Sequence, residues 1–351
     1  MKVKNILIKA DLVGNGVVNM DSNEQKFVFN GTNSHLKSFH NNTSYAKKNF
    51  YKDGDDLTYK LKISSDCLKN DMFKTEVIAQ SPKITHELGI LYSYIASPMS
   101  LIRGYMFANK QETLKRSGAL TICDAEQTCS AVSMMETFSK SGEKTTNDGE
   151  TDKADNTFYK KETVGNINYS TFGNIDLMKL QFVSADQVFD RYAFNPDNYS
   201  LFKSFLGLRL KNFNSELGYY KINNSVLDIP EYGVKLSNEN VLDLVKETLT
   251  KLSAINIKRK GGFAKVNSLK IKLVLDPLVD TFDSEDNWIE LSSLADIDNL
   301  SLDIADFYEL VEINQAKALR ESIEQSLKDE KAKESAAKKE KANAKKTKTD
   351  E

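Results

Sequence analysis

The sequence predicts an α+β fold, and three observations carry that prediction. Lys2 to Leu12 is an extended segment with apolar side chains on both faces, as in the middle of a sheet. Val241, Leu242, Val245, Leu249 and Leu252 recur at helical spacing behind a capping Ser237 or Asn238. Ile255 to Leu275 reads as two strands joined by the basic turn Lys258-Arg259-Lys260-Gly261-Gly262-Phe263.

Taken in order, the first strand ends where Val13-Gly14-Asn15-Gly16 turns the chain. Asn19 to Lys60 lacks periodicity and is rich in Asn, Ser, His, Tyr and Lys, which predicts a long functional excursion. Leu57 to Ser64 returns as a strand, and Ser65 or Asp66 caps a helix to about Ala79. Ile84 to Ala96 is the main buried helix, stopped at Ser97-Pro98 because the residue before proline avoids helical backbone angles. Leu101 to Phe107 is expected to be a strand. Arg103 within it must meet a carboxylate or emerge at a ligand-bearing face, since an unpaired buried charge is costly; we place it at the ligand face.

Lys110 to Asn174 reads as one arm, with a polar tip at Ser139 to Asn156 and a turn at Gly165-Asn166. Two separate surface loops satisfy the same pattern. Leu201 to Leu210 suits a strand or a helix, and Val226 to Leu236 is extended, with Pro230 implying a sheet edge. After Pro277 the chain turns acidic and then runs helix-like from Glu309 to Leu327. It ends in Lys/Ala/Glu repeats without an apolar face, where fraying or disorder is expected.

With 351 residues and 40% hydrophobic content the chain can bury a substantial core. Its net charge of −2 excludes a general attraction to nucleic acid, so any basic function must be local. Lys328 to Glu351 holds nine lysines against six acids, leaving the remainder at about −5. Three cysteines without a signal peptide point to a reducing, cytoplasmic location, and no apolar run is long enough to involve a membrane.

The chemistry-bearing motifs of nucleotide-binding loops, hydrolase elbows and zinc helices are missing, and Cys67, Cys123 and Cys129 lack ligand spacing. No cofactor, metal or catalytic residue is expected. Asp11, Asp21, Asp124 and Asp190 have no diagnostic spacing. What remains is cationic. His35, Lys37, His40, Tyr45, Lys47, Lys48, Tyr51 and Lys52 interleave positive charge with rings, the mixture that suits single-stranded nucleic acid. In the Lys258 to Phe263 turn, glycines let the backbone approach phosphates while three cations supply counter-charge. Solvated surface charges would satisfy both patterns as well.

Feature order adds to this. An initial IKA strand with VGNGVVN, the Lys/Tyr-rich loop, LIRGY followed by Lys115-Arg116-Ser117, and a later TFG-N-I with LQFVS and FDR resemble the CRISPR Cascade backbone subunit, the Cas-seven family of the RAMP superfamily. Similarity is greatest to the compact type I-F variant and spans Ile6 to Leu275. The insertion near Ser139 to Asn156 and the tail after Pro277 have no counterpart in the family pattern.

The resemblance implies a modified RNA-recognition-motif, ferredoxin-like palm at 1–275, with an antiparallel sheet, a web at about 19–60 and a thumb at about 110–174. An acidic then helical extension at 276–327 and a charged tail at 328–351 follow. It also implies a non-catalytic subunit that polymerises in a helical filament of its own copies along CRISPR RNA, leaving bases free to pair with target DNA, with other Cascade subunits as partners. Carried onto matching positions, the RNA contacts are Lys37, Lys47 and Lys48 in the web, Arg103, Lys115 and Arg116 in the palm, and Lys160 and Lys161 in the thumb. Lys258, Arg259, Lys260, Gly261, Gly262 and Phe263 form the backbone-gripping loop. Alternatives are an RNA-cutting subunit of the type III kind, with Asp21 as the suspect, and a general single-strand binder.

Overall fold

A computed structural model describes residues 2–30, 33–53, 56–74, 87–108, 112–131, 133–140, 144–145, 151–152, 157–187, 191–223, 229–259, 261–277, 280–282, 286–322 and 325. For 21–43, 53, 56–57, 138–140, 144–145, 151–152 and 157–159 the description is of the backbone. The tail expected at 328–351 and Lys260 lie outside the described residues.

In chain order, β1 (Asn5–Asn15) is followed by β2 (Met20–Asn30), β3 (Asn33–Ala46), β4 (Lys48–Asp53), β5 (Asp56–Ile63) and α1 (Ser65–Met72). Next come α2 (Leu88–Ile95), α3 (Pro98–Arg103), β6 (Tyr105–Ala108), β7 (Thr113–Arg116), β8 (Leu120–Ile122) and β9 (Ala125–Gln127). The arm comprises β10 (Met134–Lys140), the short pair β11 (Lys144–Thr145) and β12 (Thr151–Asp152), and β13 (Thr157–Thr163); β14 (Asn166–Asp176) leaves it. The rest is α4 (Leu177–Gln181), β15 (Phe182–Ser184), α5 (Tyr199–Arg209), β16 (Leu217–Ile222), β17 (Glu231–Lys235), α6 (Asn238–Ser253), β18 (Asn256–Arg259), β19 (Gly262–Val274), β20 (Ile289–Glu290), α7 (Leu294–Asp298) and β21 (Tyr308–Val311). The fold is therefore mixed α and β, with largely antiparallel sheets.

The chain divides into two compact units that interleave in sequence, the first comprising Met1–Ile84, Gly118–Leu177 and Leu242–Ile304 and the second Thr85–Ser117, Met178–Val241 and Ala305–Glu351. The stretch 1–275 is thus shared between them, and so is the extension after it.

In the first unit the main sheet has the order β18-β19-β1-β14-β9-β5-β4, with β8 against β14 and β20 against β19. β1 is central and antiparallel to both neighbours. Its inward residues Ile6, Ile8, Ala10 and Leu12 are almost fully buried, as are Ile167, Tyr169 and Ile175 of β14. Fully burying an aliphatic side chain is worth about 1.5–3 kcal/mol, so this two-residue alternation fixes the register. Leu68 and Met72 of α1 and Leu244, Val245, Leu249 and Leu252 of α6 are buried in the same unit. The expected stripe on α6 holds, except that Leu242 is only half-buried and Leu244 takes its place in the core. Ser237 Oγ accepts from the Asn240 N–H at 3.1 Å, which caps the helix start.

Several local expectations change. Asn19 to Lys60 is strand for most of its length, and β2 and β3 pair over a long antiparallel ladder. Polar composition hid this because period-two alternation requires an apolar face to be visible. Ser64, and not Ser65 or Asp66, precedes α1; its hydroxyl accepts from Asn19 Nδ2 at 2.9 Å, while the Ser65 N–H donates to Asp124. The expected arm from Lys110 to Asn174 contracts to β10 through β13. These strands join β3 and β2 in one sheet of order β10-β13-β3-β2, where Lys160 and Lys161 stand beside Thr43 and Ser44.

In the second unit, α2 ends at Ile95, just before Ser97-Pro98 as expected, and Pro98 then opens α3. Ser97 caps that helix, so Leu101 to Arg103 is helical and the strand begins at Tyr105. Leu201 to Leu210 falls almost wholly in α5. β17 lies inside the order β15-β17-β16-β21, and Pro230 precedes it, where proline's missing N–H costs no ladder bond. Phe182, Tyr220 and Tyr308 form a buried cluster, with Phe182 stacked on Tyr308 at 4.6 Å. Glu309 to Val311 belongs to β21 before helical structure begins at 313.

Candidate nucleic-acid interface

Three turns meet at one end of the main sheet. Gly16 follows β1 with φ of 72°, the Val164–Gly165 turn joins β13 to β14, and Gly261 joins β18 to β19 with φ of 86°. The Gly16 N–H donates to the carbonyls of Val164 at 3.0 Å and Gly165 at 3.2 Å. A Cβ on Gly16 would sit 2.1 Å from the Gly261 oxygen, and one on Gly262 would sit 3.0 Å from the Asn15 oxygen. Backbone packs on backbone here, and only glycine permits that approach.

These turns border an open cleft of about 1070 Å³ lined by Asn15, Gly16, Lys161, Val164, Gly165, Arg259 and Gly261, among others. A Cβ on Gly261 would lie 2.9 Å from Lys161 Nζ, so the arm lysine reaches over the hairpin glycine. Arg259 is exposed on β18, and its Nη1 donates to the Lys258 carbonyl at 3.2 Å. Cys67 also lines the cleft. Burial pushes its thiol up, against the pull of Arg259 and with a further push from the Asp71 carboxylate that outweighs Lys47. Glu136 supplies a carboxylate to the lining.

The remaining candidates separate clearly. Lys258 and Phe263 are exposed and pair across the hairpin, with Gly262 opposite Arg259. Lys160 is exposed beside Lys161. Lys47 is half-buried, and its carbonyl accepts the Lys62 N–H at 2.9 Å. Lys48 is committed elsewhere: its ammonium lies 2.7 Å from the buried Glu162 carboxylate and 4.6 Å from the centre of the Tyr59 ring. Glu162 also accepts from the Ala46 N–H at 2.9 Å and from the Ser133 hydroxyl. Lys37 stands in β3 opposite Lys26, and Asp21 in β2 opposite Tyr45.

Arg103, Lys115 and Arg116 belong to the second unit. Arg103 ends α3 and is exposed. Arg116 points its guanidinium at main-chain carbonyls, those of Phe182 at 2.6 Å, Lys179 and Leu101 at 3.4 Å. The sequence reading missed Asn15, Gly16, Val164 and Gly165 as cleft residues. Their signal was present in Gly14, Gly16 and Gly165, which read only as turns.

The family described as Type I-Fv CRISPR-associated protein Cas7fv-like matches residues 2–276. The chain belongs to the Cas7fv-like family. The match contains every element that lines the cleft and ends just before Pro277, so the extension carrying β20, α7 and β21 lies outside it. No curated protein matches this member of the family. Among solved structures it is similar to a chain titled CRISPR RNA-guided surveillance complex, pre-nicking, with 8% identity and a TM-score of 0.33 over 76% of this chain and 77% of that one. Among the described residues no helix is long and apolar enough to cross a membrane.

Proposed function

We propose that this backbone subunit of a CRISPR surveillance complex is non-catalytic and grips the guide RNA at the three-turn cleft. Lys161 and Arg259 supply counter-charge to phosphates, the Gly261 turn lets the RNA backbone approach, and Lys258, Lys160 and Phe263 extend the contact around the rim. Recognition of a spacer of arbitrary sequence must pass through phosphates, 2′-hydroxyls and shape, leaving base edges for pairing with target DNA. Copies of the subunit would then line up along one RNA beside other subunits of the complex.

The observation that supports this most is the meeting of Lys161 with Gly261, a hundred positions apart in sequence, at the mouth of one cleft. The palm reading also has support in topology. With β1 flanked by β19 and β14, and β9 beyond β14, the strand order follows that of an antiparallel ferredoxin-like sheet.

The test is co-purification followed by titration. Discrete RNA lengths in large, nuclease-sensitive assemblies are expected from the wild-type chain. Lys161→Ala with Arg259→Ala should weaken RNA binding and flatten its dependence on salt; an RNA-free monomer, or unchanged affinity in the double variant, would refute the assignment.

A further inference from the structure

We infer that the outer face of the main sheet is a second RNA-contact surface, on which Phe172 stacks a base of the strand that leaves the cleft. It extends the RNA reading of the cleft and rests on it.

The inner face of β1, β14 and β19 is core, and the outer face carries a different set of side chains. On β14 the outward positions are Asn166, Asn168, Ser170, Phe172 and Asn174, alternating with the buried Ile167, Tyr169, Thr171, Gly173 and Ile175. On β19 the register slips between Asp11 and Leu12 of β1, and Asn267 is the extra residue. This bulge keeps Phe263 and Lys265 on the same face as Lys270, because the slip restores the phase that a three-residue step would lose.

The cross-strand rows follow. Asn15 lies between Asn166 and Phe263, and Lys9 between Phe172 and Lys270. Lys9 Nζ is 5.6 Å from the centre of the Phe172 ring, and Phe282 meets that ring edge-on with centroids 5.6 Å apart. Phe172 and Phe282 are nevertheless 36% and 41% exposed, and Phe263 is 42% exposed. Phenylalanine that stays open to water on a sheet, with an ammonium beside it and carboxamides along it, is poor core and good stacking surface.

The face is continuous with the cleft, since Asn15 belongs to both. From Asn15 to Lys9 along β1 is about 20 Å, a short run of nucleotides. Asp11 sits between the two rows, Glu290 lies 3.9 Å from Lys270, and Asp124 and Glu126 line a pocket with Ser170 and Phe172, so the face carries acids as well as cations and the rings carry more of the contact than the cations do. Amide groups that both donate and accept suit a ribose hydroxyl, which favours RNA over DNA.

The experiment titrates the full chain with a labelled single-stranded RNA and with DNA of the same sequence, and maps photocrosslinks from 4-thiouridine in the RNA. Phe172→Ala should weaken RNA binding about tenfold with an unchanged salt slope, Phe172→Tyr should restore it, and crosslinks should fall on the peptides that carry Phe172 or Lys9. Wild-type affinity in Phe172→Ala, with Lys161→Ala and Arg259→Ala still defective, overturns this surface while the cleft stands. A loss confined to DNA overturns the RNA assignment.

Discussion

Lys161 Nζ stands 2.9 Å from the point where a side chain on Gly261 would begin. The arm and the hairpin therefore share one small volume, and each limits what the other can carry.

Gly261→Ala should cost about 1–2 kcal/mol through its positive φ alone, because the flexible lysine can move aside. Gly16→Ala should cost more, since its new methyl would meet the Gly261 carbonyl, a backbone atom with nowhere to go. Urea denaturation of the two variants should rank them in that order.

Lys48→Met should act on stability and not on RNA. It leaves the Glu162 carboxylate buried with its N–H and hydroxyl donors but without its cation, at a cost of about 1–3 kcal/mol. Adding Glu162→Gln to Lys48→Met should recover part of the loss in thermal melts, while the salt slope of RNA binding stays at the wild-type value in both.

Lys258→Ala with Arg259→Ala should reduce the slope of log affinity against log salt by about 0.7 for each RNA phosphate that is no longer neutralised. Arg116→Ala, which frees three carbonyls of the second unit, should instead lower stability. Fluorescence titrations at a series of salt concentrations separate the two effects.

Glu231 makes stability fall with rising pH over one window. Burial pushes its carboxyl above the usual 4.5, against the pull of Ser184 and Arg191, and its Oε1 has no hydrogen-bond partner. Between 4.5 and the raised folded value the native state holds the proton that the unfolded chain has lost, so unfolding becomes easier as pH rises through that range. Glu231→Gln should remove this slope, as read from unfolding free energies across pH 4 to 8.

β1 and α6 were legible because an extended run with apolar residues on both faces and an apolar stripe at helical spacing are local patterns with large burial energies behind them. β2 and β3 were not legible, since Ser, Asn, His and Lys at both phases leave no apolar face to detect. Proline misled at Pro230, because a missing N–H suits the position before a strand as well as it suits an edge; at Pro98 it marked the end of α2 but hid the helix that it opens.

By itself, then, the sequence determined the class of chemistry: a nearly neutral chain with clustered cations, flexible glycine turns and no catalytic constellation. Tertiary structure decided where those cations stand. Lys48 and Arg116 look like Lys161 and Arg259 in a string of letters, yet the first two are turned onto a buried carboxylate and onto carbonyls while the latter two line an open cleft. Register and burial make that division, because both depend on residues far apart in the sequence.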